Sequence, residues 1–178
     1  MKIGENVIRV KGKRVHLCTV RQDEKAIEKY LEWMSDEEIL PYIARNHIVC
    51  TINDETEWAN KQSNKTSFNI VTDDGTLIGN ASLRMYCRNA VLGIVIGEKN
   101  TRGMGYGTEV VRMLVKFAFE ELNAHRVELS VYADNERARK CYLKCGFTDC
   151  GIQHEVLYSH GKWINKINME ILKKDYQN

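Results

Sequence analysis

Apolar side chains recur along this chain with two different periods, and the changes of period divide it into helices and strands. Residues Asp23–Met34 carry apolar side chains at helical spacing, and Asn53–Gln62 begins with a cluster of acidic residues. Each pattern predicts a helix, the second with Asn53 as its N-cap. Pro41 interrupts the intervening stretch, so Ser35–His47 is expected to be broken helix or loop.

Two further helices are expected in the second half of the chain. Thr108–Leu122 keeps helical spacing, and another helix is expected from Asp134 or Asn135 to about Cys145, where Gly146 supplies a left-handed end.

Strand-like segments surround these helices, and turn residues such as Asp73–Thr76 and Ser159–Lys162 predict hairpins between them. The predicted strands are Arg14–Val20, Ser67–Thr72, Leu77–Tyr86, Ala90–Ile96, Val127–Val131, Phe147–Tyr158 and Trp163–Leu172. These elements predict an α+β fold, in which helices pack on a mixed sheet. With one proline and no low-complexity linker, residues 1–178 are expected to form a single domain.

Composition narrows the classes of partner. Hydrophobic residues make up 43% and charged residues 28%, which is typical of a globular protein. The net charge is +2 and the basic residues are dispersed, so neither nucleic acid nor an anionic membrane is an expected partner. No segment resembles a secretion signal or a membrane span, which favours a cytoplasmic location.

Six cysteines raise the question of disulfides or a metal. None lies in Cys-x-x-Cys spacing, so free, mostly buried thiols are favoured and no metal is expected. Cys141 and Cys145 lie one helical turn apart, which leaves a shared metal or a reactive thiol as a weaker alternative.

A glycine-rich turn follows the strand that ends at Ile96. Gly103, Gly105 and Gly107 allow backbone N–H groups to approach an anion at a helix N-terminus, and Arg102 can add a charged contact to a phosphate. The alternative is that the glycines form a flexible loop that only connects the strand to the helix.

A nucleotide-binding Rossmann turn is disfavoured because the third glycine comes one position early. Glu128 does fall at the distance of a ribose contact, but it lies at the beginning of its strand. A Walker P-loop is excluded because no Gly-Lys-Ser/Thr occurs.

The turn Arg102-Gly-Met-Gly-Tyr-Gly107, followed by the Asn-x-x-Ala-x-x-x-Tyr-x-Lys-x-Gly-Phe pattern of Asn135–Phe147, resembles the GNAT superfamily of acyl-CoA N-acyltransferases. Trp33–Asp36 and the Tyr158–Lys162 hairpin are similar to the branch that contains ribosomal-protein N-terminal and spermidine acetyltransferases. The resemblance implies a mostly antiparallel central sheet of about seven strands, flanked by helices, with splayed strands around acetyl-CoA.

The resemblance also implies the site residues. Tyr142 takes the place of the general acid that protonates the leaving thiolate. The residues implied in cofactor binding are Ile94, Val95, Ile96, Arg102, Gly103, Met104, Gly105, Tyr106, Gly107, Thr108 and Asn135. Many relatives place a glutamate, the general base, where this chain has Val91. The base is therefore unassigned, with a water chain, Glu98 or a carboxylate of Asp36–Glu38 as alternatives.

The expected function is transfer of acetyl from acetyl-CoA directly to a primary amine, through a ternary complex. A polyamine, a protein N-terminus and an aminosugar are all open as acceptors. The acidic clusters Asp36–Glu38 and Asp54–Glu57 suit a cationic acceptor, although helix N-terminal charge explains them almost as well. The alternative function is a non-catalytic acetyl-CoA-binding module. A monomer or a homodimer is expected.

Overall fold

A computed structural model of the chain describes residues 1–43, 50–62, 66–159 and 161–176. The end of the predicted Ser35–His47 segment, from residue 44, and His160 of the predicted closing turn lie outside the described residues. The described part divides into two compact units, which are described separately below. The first comprises Met1–Ser82 and Ile94–Val110, and the second comprises Leu83–Gly93 and Val111–Asn178.

Nine strands and four α-helices occur in the described part of the chain. The strands are β1 (Lys2–Ile3), β2 (Asn6–Lys11), β3 (Val15–Cys18), β4 (Ser67–Thr72), β5 (Leu77–Tyr86), β6 (Asn89–Ile96), β7 (Arg126–Tyr132), β8 (Thr148–Ser159) and β9 (Lys162–Leu172). The helices are α1 (Glu24–Met34), α2 (Ile52–Lys61), α3 (Tyr106–Glu120) and α4 (Glu136–Lys144). The chain passes between the two units within β5, β6 and α3.

The first unit is an antiparallel sheet with α1 and α2 packed on it. Strands β1 to β4 pair with their sequence neighbours, and β4 pairs with the beginning of β5. Tyr30 and Trp33 of α1 are buried with Ala59 of α2. The hydroxyl of Tyr30 donates to Asn69 Oδ1 at 2.9 Å, so this buried ring is also fixed by a hydrogen bond.

Helix capping in this unit corrects one prediction. Asp23 caps α1, because its side chain accepts a hydrogen bond from the N–H of Ala26. The predicted cap of α2 is wrong: Thr51, not Asn53, is the N-cap, and it forms a capping box with Asp54. Both bonds of a capping box satisfy N–H groups that a helix start leaves free, and this favours the earlier start.

The second unit holds the mixed part of the sheet. The beginning of β6 pairs with β7 in parallel, whereas β7 pairs with β9, and β9 with β8, in antiparallel fashion. The buried residues of this unit lie on alternate positions of its strands and on one side of its helices; they include Val127, Leu129, Met169, Ile171, Leu114 and Phe119. Gly146 follows α4 with φ of +91°, which confirms the predicted left-handed end.

The predicted α+β class and the mixed, mostly antiparallel pairing are confirmed, with nine strands in place of about seven. The two unpredicted strands are β1 and β2. In β2, Asn6, Ile8 and Val10 alternate with exposed residues, a signal that the polar composition of this segment obscured. Within the described ranges, no helix has the length and apolar character needed to cross a membrane.

Candidate active site

The glycine turn connects β6 to α3 within the first unit. A short 3-10 helix at Lys99–Thr101 leads into it, and α3 begins at Tyr106. Gly103 and Gly105 have φ of +81° and +85°, a left-handed conformation that side chains with a Cβ rarely adopt. Around Gly103, a Cβ would meet no heavy atom within 4 Å, so the backbone is open on that side. The predicted turn is therefore present, with its glycines used for conformation.

Backbone donors are concentrated in this turn. The Glu109 N–H makes the first α-helical hydrogen bond of α3, to Gly105 O at 3.2 Å. Among the residues that the structure describes, no acceptor is present for the N–H groups of residues 103–107. A helix N-terminus also carries positive potential from the aligned peptide dipoles. The turn is thus a set of free donors suited to an anion such as a pyrophosphate.

The guanidinium of Arg102 is engaged within the protein. It is 6% exposed, and its two terminal nitrogens lie 2.6 Å from Asp36 and 2.6 Å from Glu38. It also donates to Ile96 O at 3.2 Å and to Gly97 O at 2.5 Å. The Arg102 N–H in turn donates to Lys99 O at 3.1 Å. The guanidinium of Arg102 therefore holds the turn to the segment after α1, and its backbone N–H holds it to the 3-10 helix.

The pKa of Asp36 reflects this pairing. Burial acts to raise it, but the hydrogen bond and the charge of Arg102 outweigh burial, so the pKa lies below its ordinary value. Glu98, another carboxylate that the sequence suggested as a base, accepts a hydrogen bond from Lys29 Nζ at 2.6 Å. Asp36, Glu38 and Glu98 are thus each paired with a cation.

A second arginine, which the sequence did not indicate, lies at the same turn. Arg14 Nη1 donates to Met104 O at 3.0 Å, and its guanidinium carbon lies 4.9 Å from the centre of the Tyr106 ring. The Nη2 atom of Arg14 is 3.3 Å from the position that a Cβ on Gly105 would occupy. The Arg14 side chain is 51% exposed, so its charge is accessible at the turn.

Glu109, in the first turn of α3, holds Arg14 in place. Its carboxylate accepts from the Arg14 Nε at 3.0 Å and from the backbone N–H groups of Lys13 and Arg14 at 2.8 Å each. Burial acts to raise the pKa of Glu109, but these donors outweigh it and the pKa is lowered. No local signal could have shown Arg14, because its contacts in the turn are about 90 residues away in sequence.

The two candidates after β7 lie in the second unit. Asn135 is the N-cap of α4, and its Oδ1 accepts from the Ala138 N–H at 3.1 Å. Its side-chain amide nitrogen has no partner among the described residues and can donate to a ligand.

Tyr142 is 9% exposed, and its ring lies 6.1 Å from that of Phe147. Burial raises the pKa of Tyr142, with smaller contributions from Cys141 and Cys145. No hydrogen bond to its hydroxyl is present in the described part of the chain. The hydroxyl is therefore a protonated and available donor.

The cysteines form no disulfide among the described residues, but the expectation that most of them are buried is wrong, because only Cys18 is buried and Cys87 and Cys150 are exposed. Burial raises the pKa of Cys18 to about 11, and the pKa of Cys145 is raised by a hydrogen bond with Cys141 and by burial. Thiols with raised pKa values are poor nucleophiles at neutral pH. In the described residues, no group of three or more His, Cys, Asp or Glu side chains could hold a metal ion.

The described residues thus include a mixed sheet, a glycine turn whose donors suit an anion, and a buried tyrosine on a later helix. Comparison with known proteins identifies the family. The acetyltransferase (GNAT) domain matches residues 14–148, so this chain belongs to the GNAT acetyltransferase family.

Individual relatives agree with this assignment. The chain is 36% identical over 112 residues to the probable N-acetyltransferase YjcK of Bacillus subtilis, covering 61% of this chain and 62% of the relative. It is 29% identical over 91 residues to the spermidine N(1)-acetyltransferase of Vibrio cholerae, covering 51% and 52%. The chain thus matches between about half and three fifths of the length of these relatives.

Solved structures give the same fold. The crystal structure of spermidine N-acetyltransferase from Vibrio cholerae in complex with CoA and spermine aligns with a TM-score of 0.80 at 22% identity. The alignment covers 93% of this chain and 99% of that one. The GNAT-like fold predicted from the two sequence motifs is therefore confirmed.

Proposed function

We propose that this protein is an acetyl-CoA-dependent N-acetyltransferase that passes the acetyl group directly to a primary amine in a ternary complex. The observation that carries the proposal is the glycine turn before α3, whose N–H groups at residues 103–107 have no acceptor among the described residues. Membership of the GNAT family supports the same conclusion.

In this proposal the pyrophosphate of acetyl-CoA binds to the backbone of Gly103, Met104, Gly105, Tyr106, Gly107 and Thr108. Several N–H donors and the dipole of α3 then act on one anion. Arg14 supplies the charged side-chain contact, because the guanidinium of Arg102 is already bound to two carboxylates. We therefore assign Arg102 a positioning role, in which it holds the turn in shape.

The pantetheine arm follows the backbone of Ile94, Val95 and Ile96 at the end of β6. On its other side, this part of β6 is approached closely by β5, because Gly79 has no Cβ where one would lie 2.1 Å from Val95 O. Asn135 donates to the cofactor with its amide nitrogen while its oxygen caps α4. The capping role and the binding role use different atoms and are compatible.

The chemistry requires a neutral amine, a stabilised oxyanion and a proton for the leaving sulfur. A backbone N–H at the end of β6 stabilises the oxyanion, a contribution of about 3 kcal/mol in comparable sites. Tyr142 donates its proton to the thiolate. Because burial raises its pKa, the phenol remains protonated until the thiolate forms beside it.

The acceptor in this proposal is a small cationic amine of the polyamine class. Two relatives support this choice, since one is named a spermidine N(1)-acetyltransferase and one structure contains spermine. The acidic clusters no longer add support: Asp36 and Glu38 are bound to Arg102, and Asp54 takes part in the cap of α2. A cytoplasmic location and a monomeric or homodimeric state remain predictions.

The test is release of free thiol from acetyl-CoA in the presence of a panel of amines. The panel contains spermine, spermidine, an aminosugar and a short peptide with a free N-terminus. We expect turnover to be fastest with a polyamine. Acetyl-CoA binding without turnover on any amine would instead favour the non-catalytic binding module.

A further inference from the structure

A polar cluster lies on the sheet of the second unit and has no part in the function proposed so far. It consists of Tyr86 at the end of β5 with Arg126 and Glu128 of β7. The hydroxyl of Tyr86 donates to one carboxylate oxygen of Glu128, and Arg126 donates to the other. The carboxylate is held from two sides, and its side chain is 26% exposed.

The alternation of β7 assigns this cluster to one face of the sheet. Val127, Leu129 and Val131 are buried, so Arg126 and Glu128 lie on the opposite face. The same alternation holds in β6, where Ala90 and Leu92 are buried. The Glu128 carboxylate therefore lies on the face that is not packed into the apolar core.

The strand register brings Glu128 beside the strand proposed to carry the cofactor. In the parallel pair of β6 and β7, Val91 lies directly opposite Glu128, as the third of three register pairs. Paired residues of neighbouring strands point to the same face, and the strands are about 4.8 Å apart. Val91 has no group that can accept a proton, whereas its lateral neighbour has a carboxylate.

A carboxylate has about four lone-pair positions, so the two donors leave room for a third. Arg126 also binds Glu170 of β9 at 3.2 Å, which gives the two carboxylates and one guanidinium a net negative charge. This charge favours a cationic amine over a neutral one. Glu128 thus combines a fixed position, access and the right charge for an ammonium group.

We propose that Glu128 is the general base that takes a proton from the ammonium group of the acceptor. The proposal rests on the proposed function. An N–H bond of the ammonium breaks as an O–H bond forms on the Glu128 carboxylate, and the freed lone pair attacks the thioester carbon. The tetrahedral intermediate then collapses by breaking the C–S bond. The sulfur takes the Tyr142 proton, the phenolate recovers the second proton from nitrogen, and Glu128 releases its proton to water.

The test is steady-state kinetics of the full chain with acetyl-CoA and spermine. Glu128→Gln should lower kcat by about 100-fold or more, the usual range for loss of a general base, and leave the KM for acetyl-CoA unchanged. The deficit should shrink as the pH rises toward about 10.4, the ordinary pKa of an alkylamine, because the amine then loses its proton without help. Val91→Glu in the Glu128→Gln background should restore most of the lost rate.

Glu170→Gln is the matched control, since Glu170 also binds Arg126 but lies one strand farther from Val91. It should raise the KM for spermine, because it removes the net negative charge of the cluster, but it should change kcat less than about threefold, because the proposed proton acceptor Glu128 is kept. Equal loss in both variants, or a kcat deficit in Glu128→Gln that does not change with pH, would overturn the proposal.

If Glu128→Gln fails to fold, Glu128→Asp tests the proposal instead. This variant keeps the negative charge, but its shorter side chain moves the carboxylate away from the acceptor. It should lower kcat about tenfold or more, since small displacements of a reacting group are costly. Unchanged kcat in this variant would overturn the assignment. A wild-type chain that binds acetyl-CoA but acetylates no amine would refute the proposed function itself, before any Glu128 variant is made.

Discussion

Arg14 and Arg102 offer a direct test of the proposal that the turn binds acetyl-CoA, because the contacts of the two guanidinium groups differ. The informative change is Arg14→Gln, which removes the charge while keeping a polar side chain of similar reach. Arg14 is 51% exposed and has one terminal nitrogen close to the turn, whereas Arg102 is 6% exposed and bound to two carboxylates. Our proposal assigns the phosphate contact to Arg14.

The expected size of the effect follows from this geometry. A hydrogen bond to a charged group contributes about 1.5–3 kcal/mol, and the partial exposure of Arg14 reduces this to about 1–2 kcal/mol. That free energy corresponds to about a 5- to 30-fold loss in kcat/KM for acetyl-CoA. The free energy of unfolding should fall by less than this, since the partly exposed ion pair of Arg14 with Glu109 contributes about 0–1 kcal/mol.

The assay compares two acetyl donors that share a thioester. Acetyl-CoA carries the phosphates, and S-acetylpantetheine does not. Arg14→Gln should lower kcat/KM for acetyl-CoA and leave the value for S-acetylpantetheine nearly unchanged. Equal losses with both donors, or no loss with acetyl-CoA, would refute the assignment of Arg14 to the phosphates.

Three further predictions concern stability and proton transfer. Arg102→Gln should lower the free energy of unfolding by about 3 kcal/mol in urea denaturation, because it leaves the buried Asp36 carboxylate without its main partner. Adding Asp36→Asn should recover much of this loss. A loss below about 1 kcal/mol in the single variant would contradict the prediction. Tyr142→Phe should lower kcat about 100-fold if the tyrosine is the general acid. Because burial raises the pKa of Tyr142, kcat of the wild-type protein should not fall between about pH 8 and pH 10. A fall in that range, or full activity in the variant, would argue against the acid role. Gly97→Ala should lower the free energy of unfolding by about 1–3 kcal/mol in the same urea assay, because the new Cβ would lie 2.1 Å from the Trp33 ring; an unchanged midpoint would show that the ring can move freely.

Local sequence patterns were sufficient for most of the elements. The helices near Asp23 and Asn135 and the hairpin of β4 and β5 follow from spacing, caps and turn residues, each visible within about ten positions. The start of α2 was misjudged because Thr51 and Asn53 are both good caps. The reciprocal bond with Asp54, which decides between them, depends on geometry.

The sequence predicted only part of the candidate site, because the charged contacts of the site join segments that are far apart along the chain. Glycines 103 and 105 could be assigned to a turn from their spacing, since that is a property of the local backbone. The direction of the Arg102 guanidinium depends on carboxylates more than 60 residues earlier, and the position of Arg14 depends on a helix 95 residues later. The sequence identified Glu128, but its pairing with Val91 depends on how β6 and β7 align in the folded protein.

The donors of the glycine turn are main-chain N–H groups, so they do not depend on which side chains the turn carries. Peptide N–H groups do not ionise in the physiological pH range, so an anion bound as proposed would meet the same donors at every pH in that range. The exposed Met104 side chain can be replaced without removing any of these donors, provided that the backbone keeps its shape. Under the proposed function, recognition of the anion by these donors therefore depends on the conformation of the turn and does not require the Met104 side chain.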